Sequence, residues 1–321
     1  MNWKKHIKRL LYIFLSAFVL MFFSEYFFLN EEPAISLIES LRNESSFQVL
    51  LGLLEFTMIY AFFGYILFIA VDRFKINDLF SLFLAGILFG WWTEGIIIGV
   101  VYEAIPWSIA WPSIGWHAVV DVLVGYYFVR KILQKNNYLL TTALAIGMGI
   151  FWGFWATWFW GEGVEAIASN DFSLYAFFLT AILIASYFLL DRLQPKEIHI
   201  TNLGIVIFSV LSLAGLILIS FQFGILPWIT LAPLTILTFF LLHQNRSESH
   251  SNILSTRLAG KAKLLNVSLL FLMPIIASIL YRWIYANDIQ LPIGEIIPPL
   301  LMVIGGAAYI ISILRILIRK N

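Results

Sequence analysis

Residues 91–121 read WWTEGIIIGVVYEAIPWSIAWPSIGWHAVVD. The stretch is apolar and dense in tryptophan, interrupted by a turn around Pro106. It nevertheless carries Glu94, Glu103, His117 and Asp121. Ionisable groups are costly in apolar surroundings, so the first question is whether the rest of the chain supplies a water-facing surface for them. It does not. The 321 residues are 61% hydrophobic and 12% charged, with a mean hydropathy of +0.89. A soluble domain carries about 25% charged residues. The expected fold is therefore all-α, a polytopic integral membrane protein.

Apolar runs long enough to cross about 30 Å of hydrocarbon fall at 10–29, 48–71, 79–102, 113–133, 138–160, 172–190, 202–221, 224–242, 264–285 and 293–314. About ten transmembrane helices are thus expected, which puts both termini on one side. The positive-inside rule supplies the orientation. With both termini cytoplasmic, 18 of the 20 Lys and Arg fall inside, leaving Arg42 and Arg282 outside or near the outer end. The basic N-terminus MNWKKHIKR is followed by an apolar run with no small-residue cleavage site, so the first span is expected to be retained. The expected location is a plasma (cytoplasmic or inner) membrane.

The acids are distributed differently. Asp72, Asp78, Asp191, Glu197 and Glu248 fall inside, and the other acids outside or in the outer half. Helical rise puts Glu25 and Glu94 about 22 Å above the inner ends of spans one and three. Glu55 and Asp121 come about 10 and 12 Å below the outer ends of spans two and four. Four helices are therefore expected to bring carboxylates to one level. His117 and Asp121, spaced i,i+4, share a helix face and can touch. Glu103, Glu162 and Glu165 belong to the rim above them.

Nine of the twelve tryptophans lie between 91 and 160. Trp107, Trp111, Trp116, Trp158 and Trp160 are expected to form an interfacial aromatic belt. Trp91, Trp92, Trp152 and Trp155 sit deeper, as a candidate wall for a lipophilic ligand. Gly90 and Gly153 permit close helix approach, and spans three and five are expected to pack together. Their sequences align, GILFGWWTEGIIIGVVYEAI (86–105) on GIFWGFWATWFWGEGVEAI (149–167), as a parallel repeat would. Residues 1–200 are expected to form the functional six-span unit and 201–321 a supporting four-span unit. Arg282 is expected either to pair with Glu295 or to serve the acidic level.

An ionised acid in hydrocarbon costs several kcal/mol, roughly 2.5–3.5 on insertion scales, so clustered acids imply a site. Glu25, Glu55, Glu94, His117 and Asp121 are the candidate catalytic groups, as general acids and bases. Cofactors are unknown; a divalent cation held by Glu94, His117 and Asp121 is one possibility, magnesium or calcium suiting the ligands better than zinc. The absence of cysteine excludes disulfides, thiolate metal sites and cysteine nucleophiles. No GxSxG or GxxxxGK[ST] occurs, and no acid pair stands at prenyl-transfer spacing within a span. No nucleic-acid partner is expected; the partners are the bilayer and a lipophilic small molecule.

WGFWATWF at 152–159 resembles the WGxWHxxxF segment of CAAX-type intramembrane proteases, and HAVVD at 117–121 resembles their HxxxN/D segment. Ala156 stands where that family has histidine, the two segments occur in reverse order, and EExxxR is missing. The activity that the resemblance implies is not carried over. The expected function is a membrane-embedded enzyme or binding protein for a lipophilic substrate, its site opening to the extracytoplasmic side. A proton- or cation-coupled transporter or channel is the alternative, and an assembly or scaffold protein the third.

Overall fold

The computed structural model describes residues 3–158, 160, 166–193, 200–246 and 251–318. Among them every regular element is helical. The main helices are α1 (Trp3–Ser24), α2 (Glu32–Asn43), α3 (Ser46–Arg73), α4 (Leu79–Thr93) and α5 (Ser113–Val129). They are followed by α6 (Tyr138–Trp155), α7 (Ser169–Leu193), α8 (Asn202–Phe223), α9 (Leu226–Gln244), α10 (Leu264–Ala286) and α11 (Ile293–Ile318). Nine of the described helices are long and apolar enough to cross a bilayer: all of these except α2 and α5. The chain is a multi-pass membrane protein.

Lipid offers no hydrogen-bond partner to a backbone, so helix starts must be capped internally. Asp78 Oδ1 accepts from Phe80 N and Ser81 N at 2.9 and 3.1 Å. Asn137 and Thr201 cap α6 and α8 in the same way, and Ser45 with Gln48 forms a capping box at α3. Helix α2 is amphipathic instead; it buries Ala34, Leu37 and Ile38 and packs on α3 and α7.

The segment expected as the fourth span is helical but wound wider than an α-helix. From Ser113 to Val129 it is a π-helix, entered by His117 N donating to Pro112 O five residues back. A second π turn, Glu94–Ile98, extends α4 and closes with Gly99 N on Glu94 O at 3.0 Å. Such i→i+5 winding is rare and often marks functional sites.

At the centre lie α1, α4 and α5. Helix α1 packs on α3, α5 and α7, and α4 packs on α5, α3 and α9. Of the most apolar window, 83% is buried in α4 with its extension, but only 22% in α8 and 17% in α11. Helices α8 and α11 therefore present most of their surface outward.

Spans three and five do not join through their glycines, as the sequence suggested. A Cβ on Gly90 would lie 2.5 Å from Ser113 O and 2.9 Å from His117 Cβ, so α4 presses on α5. A Cβ on Gly149 would lie 2.6 Å from Met273 O, so α6 presses on α10. The same small-residue device serves two different partners.

Candidate functional site

Gly90 determines where the site forms. Because α4 closes on α5 there, the next turn of α4 delivers Glu94 to the ring of His117. Glu94 Oε1 lies 2.6 Å from His117 Nε2, and Asp121 Oδ2 lies 2.7 Å from Nδ1. The imidazole is 2% exposed, Glu94 6% and Asp121 0%. A buried histidine is thus clamped between two carboxyl groups, one on each edge.

A second arm comes from α1 and α3. Ser24 Oγ lies 3.2 Å from His117 Nδ1 and 2.7 Å from the Tyr60 hydroxyl. Tyr60 in turn donates to Glu25 Oε1 in a short contact. Glu25 begins the turn that ends α1. Asp121, His117, Glu94, Ser24, Tyr60 and Glu25 form one hydrogen-bonded network drawn from four helices and their ends.

The network opens on a cavity of about 250 Å³. Ser24, Glu25, Glu31, Glu94 and His117 supply its polar lining, and Phe28, Trp111, Trp116 and Trp158 its aromatic wall. Glu31 lies in the turn between α1 and α2, outside the spans. Burial pushes its carboxyl up to about 8, with the Glu25 and Glu94 carboxylates adding to the rise. Trp116 is held by its indole N–H on Phe23 O at 2.9 Å and stacks on Trp155 with ring centres 4.7 Å apart. Trp111 stacks on Trp158 at 6.2 Å.

Several expectations need correction. Glu55 does not join the cluster: it is exposed, while Leu53, Thr57 and Tyr60 form the buried face of α3. Two residues along a helix turn a side chain by about 200°, so Glu55 and the buried Thr57 face apart. Tyr60 is the residue that α3 contributes. Glu103 is exposed, outside the cavity. Glu162 and Glu165 lie outside the described residues.

None of the four deep tryptophans, Trp91, Trp92, Trp152 and Trp155, lines the cavity. Trp91 donates to Ile109 O at 3.0 Å and Trp92 to Thr235 Oγ1 at 3.1 Å. Trp152 is buried among Phe22, Phe27, Phe172 and Tyr175. Trp155 forms the layer behind the wall. The wall itself is made of Trp111, Trp116 and Trp158, which interfacial position alone would assign to a belt.

Arg282 neither pairs with Glu295 nor reaches the acids; it donates to Asn170 Oδ1 at 2.8 Å. The candidate divalent-cation set does not fit a metal either. Glu94 and Asp121 stand on opposite edges of the imidazole, so the three donors do not converge on a point. Among the described residues no group of three or more His, Asp or Glu is arranged to hold one.

Sequence reasoning passed over Ser24, Tyr60 and Glu31. Ser24 and Tyr60 carry no charge to draw notice, and Glu31 reads as an ordinary loop acid. Ala156, at the histidine position of the protease resemblance, is fully buried and adds no ionisable group to the site. No family model matches the chain, and no curated protein or solved structure matches it.

Proposed function

We propose that the protein is a membrane-embedded acid–base enzyme acting on a lipophilic substrate. The observation that carries this reading is the buried imidazole clamped between Glu94 and Asp121, with Glu94 facing the aromatic-walled cavity. Asp121 orients the ring through Nδ1, and the ring positions Glu94 through Nε2. Glu94 then exchanges a proton with the reacting group, and Glu25, held by Tyr60, supplies the second carboxyl. One carboxyl taking a proton while another gives one is the usual requirement of general acid–base catalysis.

The transport alternative needs polar groups that continue across the membrane. Inward from Ser24, α1 runs Phe23, Phe22, Met21, Leu20, Val19, Phe18 and Ala17, all buried and apolar, before Ser16. A pocket that ends against such a wall favours chemistry over passage. The topology completing this proposal has ten spans and both termini in the cytoplasm. The cavity then opens to the extracytoplasmic side of a plasma membrane. Residues 1–200 form the working unit and 201–321 its support.

The test is turnover by purified protein in liposomes made from a total lipid extract of the expression host, followed by mass spectrometry. Wild type is expected to convert a component covalently. Glu94→Gln is expected to lower that rate by about 10²–10⁴ while leaving the protein folded. Equal turnover by the variant would refute the assignment, and movement of an unaltered solute across the bilayer would favour transport.

A further inference from the structure

The wall of the acidic cavity holds three carboxyl groups, from Glu25, Glu31 and Glu94, and among the described residues no lysine or arginine lines it. The three converge on one space. Ser24 Oγ lies 3.4 Å from Glu25 Oε1 and 3.2 Å from the imidazole, which holds Glu94 at 2.6 Å. Burial pushes the Glu31 carboxyl up to about 8, and the Glu25 and Glu94 carboxylates add to the rise, so the three act on one another across the cavity.

Two further observations point to a ligand. Glu25 and Glu94 each use only Oε1 in the network, and Oε2 of each has no hydrogen-bond partner among the described residues. Both residues are more than nine-tenths buried. A buried acceptor left unbonded is costly, and a positively charged guest offsets that cost. The rest of the wall is aromatic. Phe28 meets Trp116 and Trp158 with ring centres 4.6 and 5.7 Å apart, and Trp111 meets the same two at 5.9 and 6.2 Å. Four rings thus close on one another in a cycle. Ring faces attract cations, and aromatic walls of this kind recognise quaternary ammonium heads. An anionic head would be repelled by the acids, and a neutral one would leave their charge unanswered. At about 250 Å³ the cavity is smaller than the roughly 300–1,000 Å³ of a site for a whole drug-sized ligand. It takes a head group and leaves the rest of the molecule outside.

We propose that the substrate carries an alkylated ammonium head, held against the rings of Phe28, Trp111, Trp116 and Trp158 with Glu31 as its counter-ion. The inference rests on the acid–base reading for the reaction, but the binding itself does not. Glu31 stands outside the hydrogen-bonded network, so it selects the head, while Glu94 and Glu25 keep the proton exchange.

The probes are choline and 3,3-dimethylbutanol, which share a shape and differ in a positive nitrogen against a neutral carbon. Both are small and water-soluble, so micelles do not compete for them as they would for a long-chain amphiphile. Each is titrated by calorimetry into detergent-solubilised full-length protein at pH 9, where Glu31 is ionised. Wild type is expected to bind choline about tenfold or more tighter than the neutral isostere. Glu31→Gln is expected to shrink that ratio at least about threefold, and Trp111→Leu about twofold or more. Both affinities come from one preparation, so misfolded protein lowers the number of sites and not the ratio. Equal binding of the two probes by wild type, no saturable choline binding, or an unchanged ratio in Glu31→Gln would overturn the proposal. Glu94→Gln, which removes turnover in the acid–base reading, should still favour choline, since Glu31 and the rings remain. Turnover that survived in Glu94→Gln beside an intact choline preference would sink the chemistry and leave the head-group assignment standing.

Discussion

Two buried polar clusters share helices α1 and α5 and make opposite use of them. The first is the Asp121–His117–Glu94 network with its cavity. The second lies further along both helices. There Arg130, in the turn that continues α5, meets Asp191 at 3.2 Å and the Tyr12 hydroxyl at 3.2 Å. Its guanidinium also lies 5.2 Å from the centre of the Tyr126 ring. Asp191 accepts further bonds from Gln134 at 2.6 Å and from Ala262 N at 3.0 Å. Tyr12, Tyr126 and Ser16 bond to one another. Acid is matched by base in charge, the surrounding donors complete the bonding of Asp191 while Arg130 Nε has no partner among the described residues, and neither Arg130 nor Asp191 lines the acidic cavity.

The Glu94 network has several acids, one histidine and no lysine or arginine among its members, and it faces open space. A cluster whose purpose is to hold helices together gains by matching every charge, because an unmatched buried charge is penalised by several kcal/mol. A cluster that must exchange protons or receive a ligand needs unmatched capacity. The difference between the two lies in electrostatic completeness, since both are deeply buried.

The largest effect should come from breaking the complete cluster. Arg130→Met leaves Asp191 buried without its cation and is expected to destabilise the fold by about 3–5 kcal/mol. Thermal or denaturant unfolding in detergent measures this; a loss below about 1 kcal/mol, the size of an ordinary substitution, would mean that the Arg130–Asp191 pair does not hold these helices together. Next comes Gly90→Ala, which drives a methyl into Ser113 O and His117 Cβ. Overpacking of this kind costs about 1–3 kcal/mol, and it should also separate Glu94 from the imidazole. Turnover would then fall more than the change in melting temperature explains, whereas a fall in melting temperature alone would place Gly90 outside the site.

Smaller and pH-dependent is the effect of Glu31. Its folded carboxyl titrates up to about 8, above the ordinary carboxylate value of 4.5. The folded protein therefore holds a proton that the unfolded chain has released. The associated stability is complete below about 4.5 and is lost as pH rises through about 8. Glu31→Gln should flatten that decline in melting temperature between pH 5 and 9; an unchanged slope would mean Glu31 is solvated. Smallest of all is Glu55→Gln. Because Glu55 faces outward from α3, stability should stay within about 0.5 kcal/mol of wild type. A larger loss, or loss of turnover, would return Glu55 to the site.

The membrane class and nearly all helix positions were legible, because both follow from summed hydrophobicity over runs longer than any single side chain. The pairing of His117 with Asp121 was legible for a related reason: residues four apart on one helix meet whatever surrounds them. Depth brought Glu25 and Glu94 to the same level. Depth could not tell Glu94, turned toward His117, from Glu55, turned away, since helical rise says nothing of rotation. Rotation about each axis depends on which faces pack, and so on contacts such as Gly90 against Ser113.

Composition and local periodicity thus determined by themselves that this chain is a helical membrane protein with acids held in its spans. Both are sums over neighbours in sequence. Only the tertiary structure decided that Ser24, Tyr60 and Glu31 belong with those acids, that Trp111, Trp116 and Trp158 face the cavity, and that Glu94 and Asp121 take opposite edges of one ring. Those outcomes depend on helix rotation and close approach, which are set by packing between residues far apart in the chain.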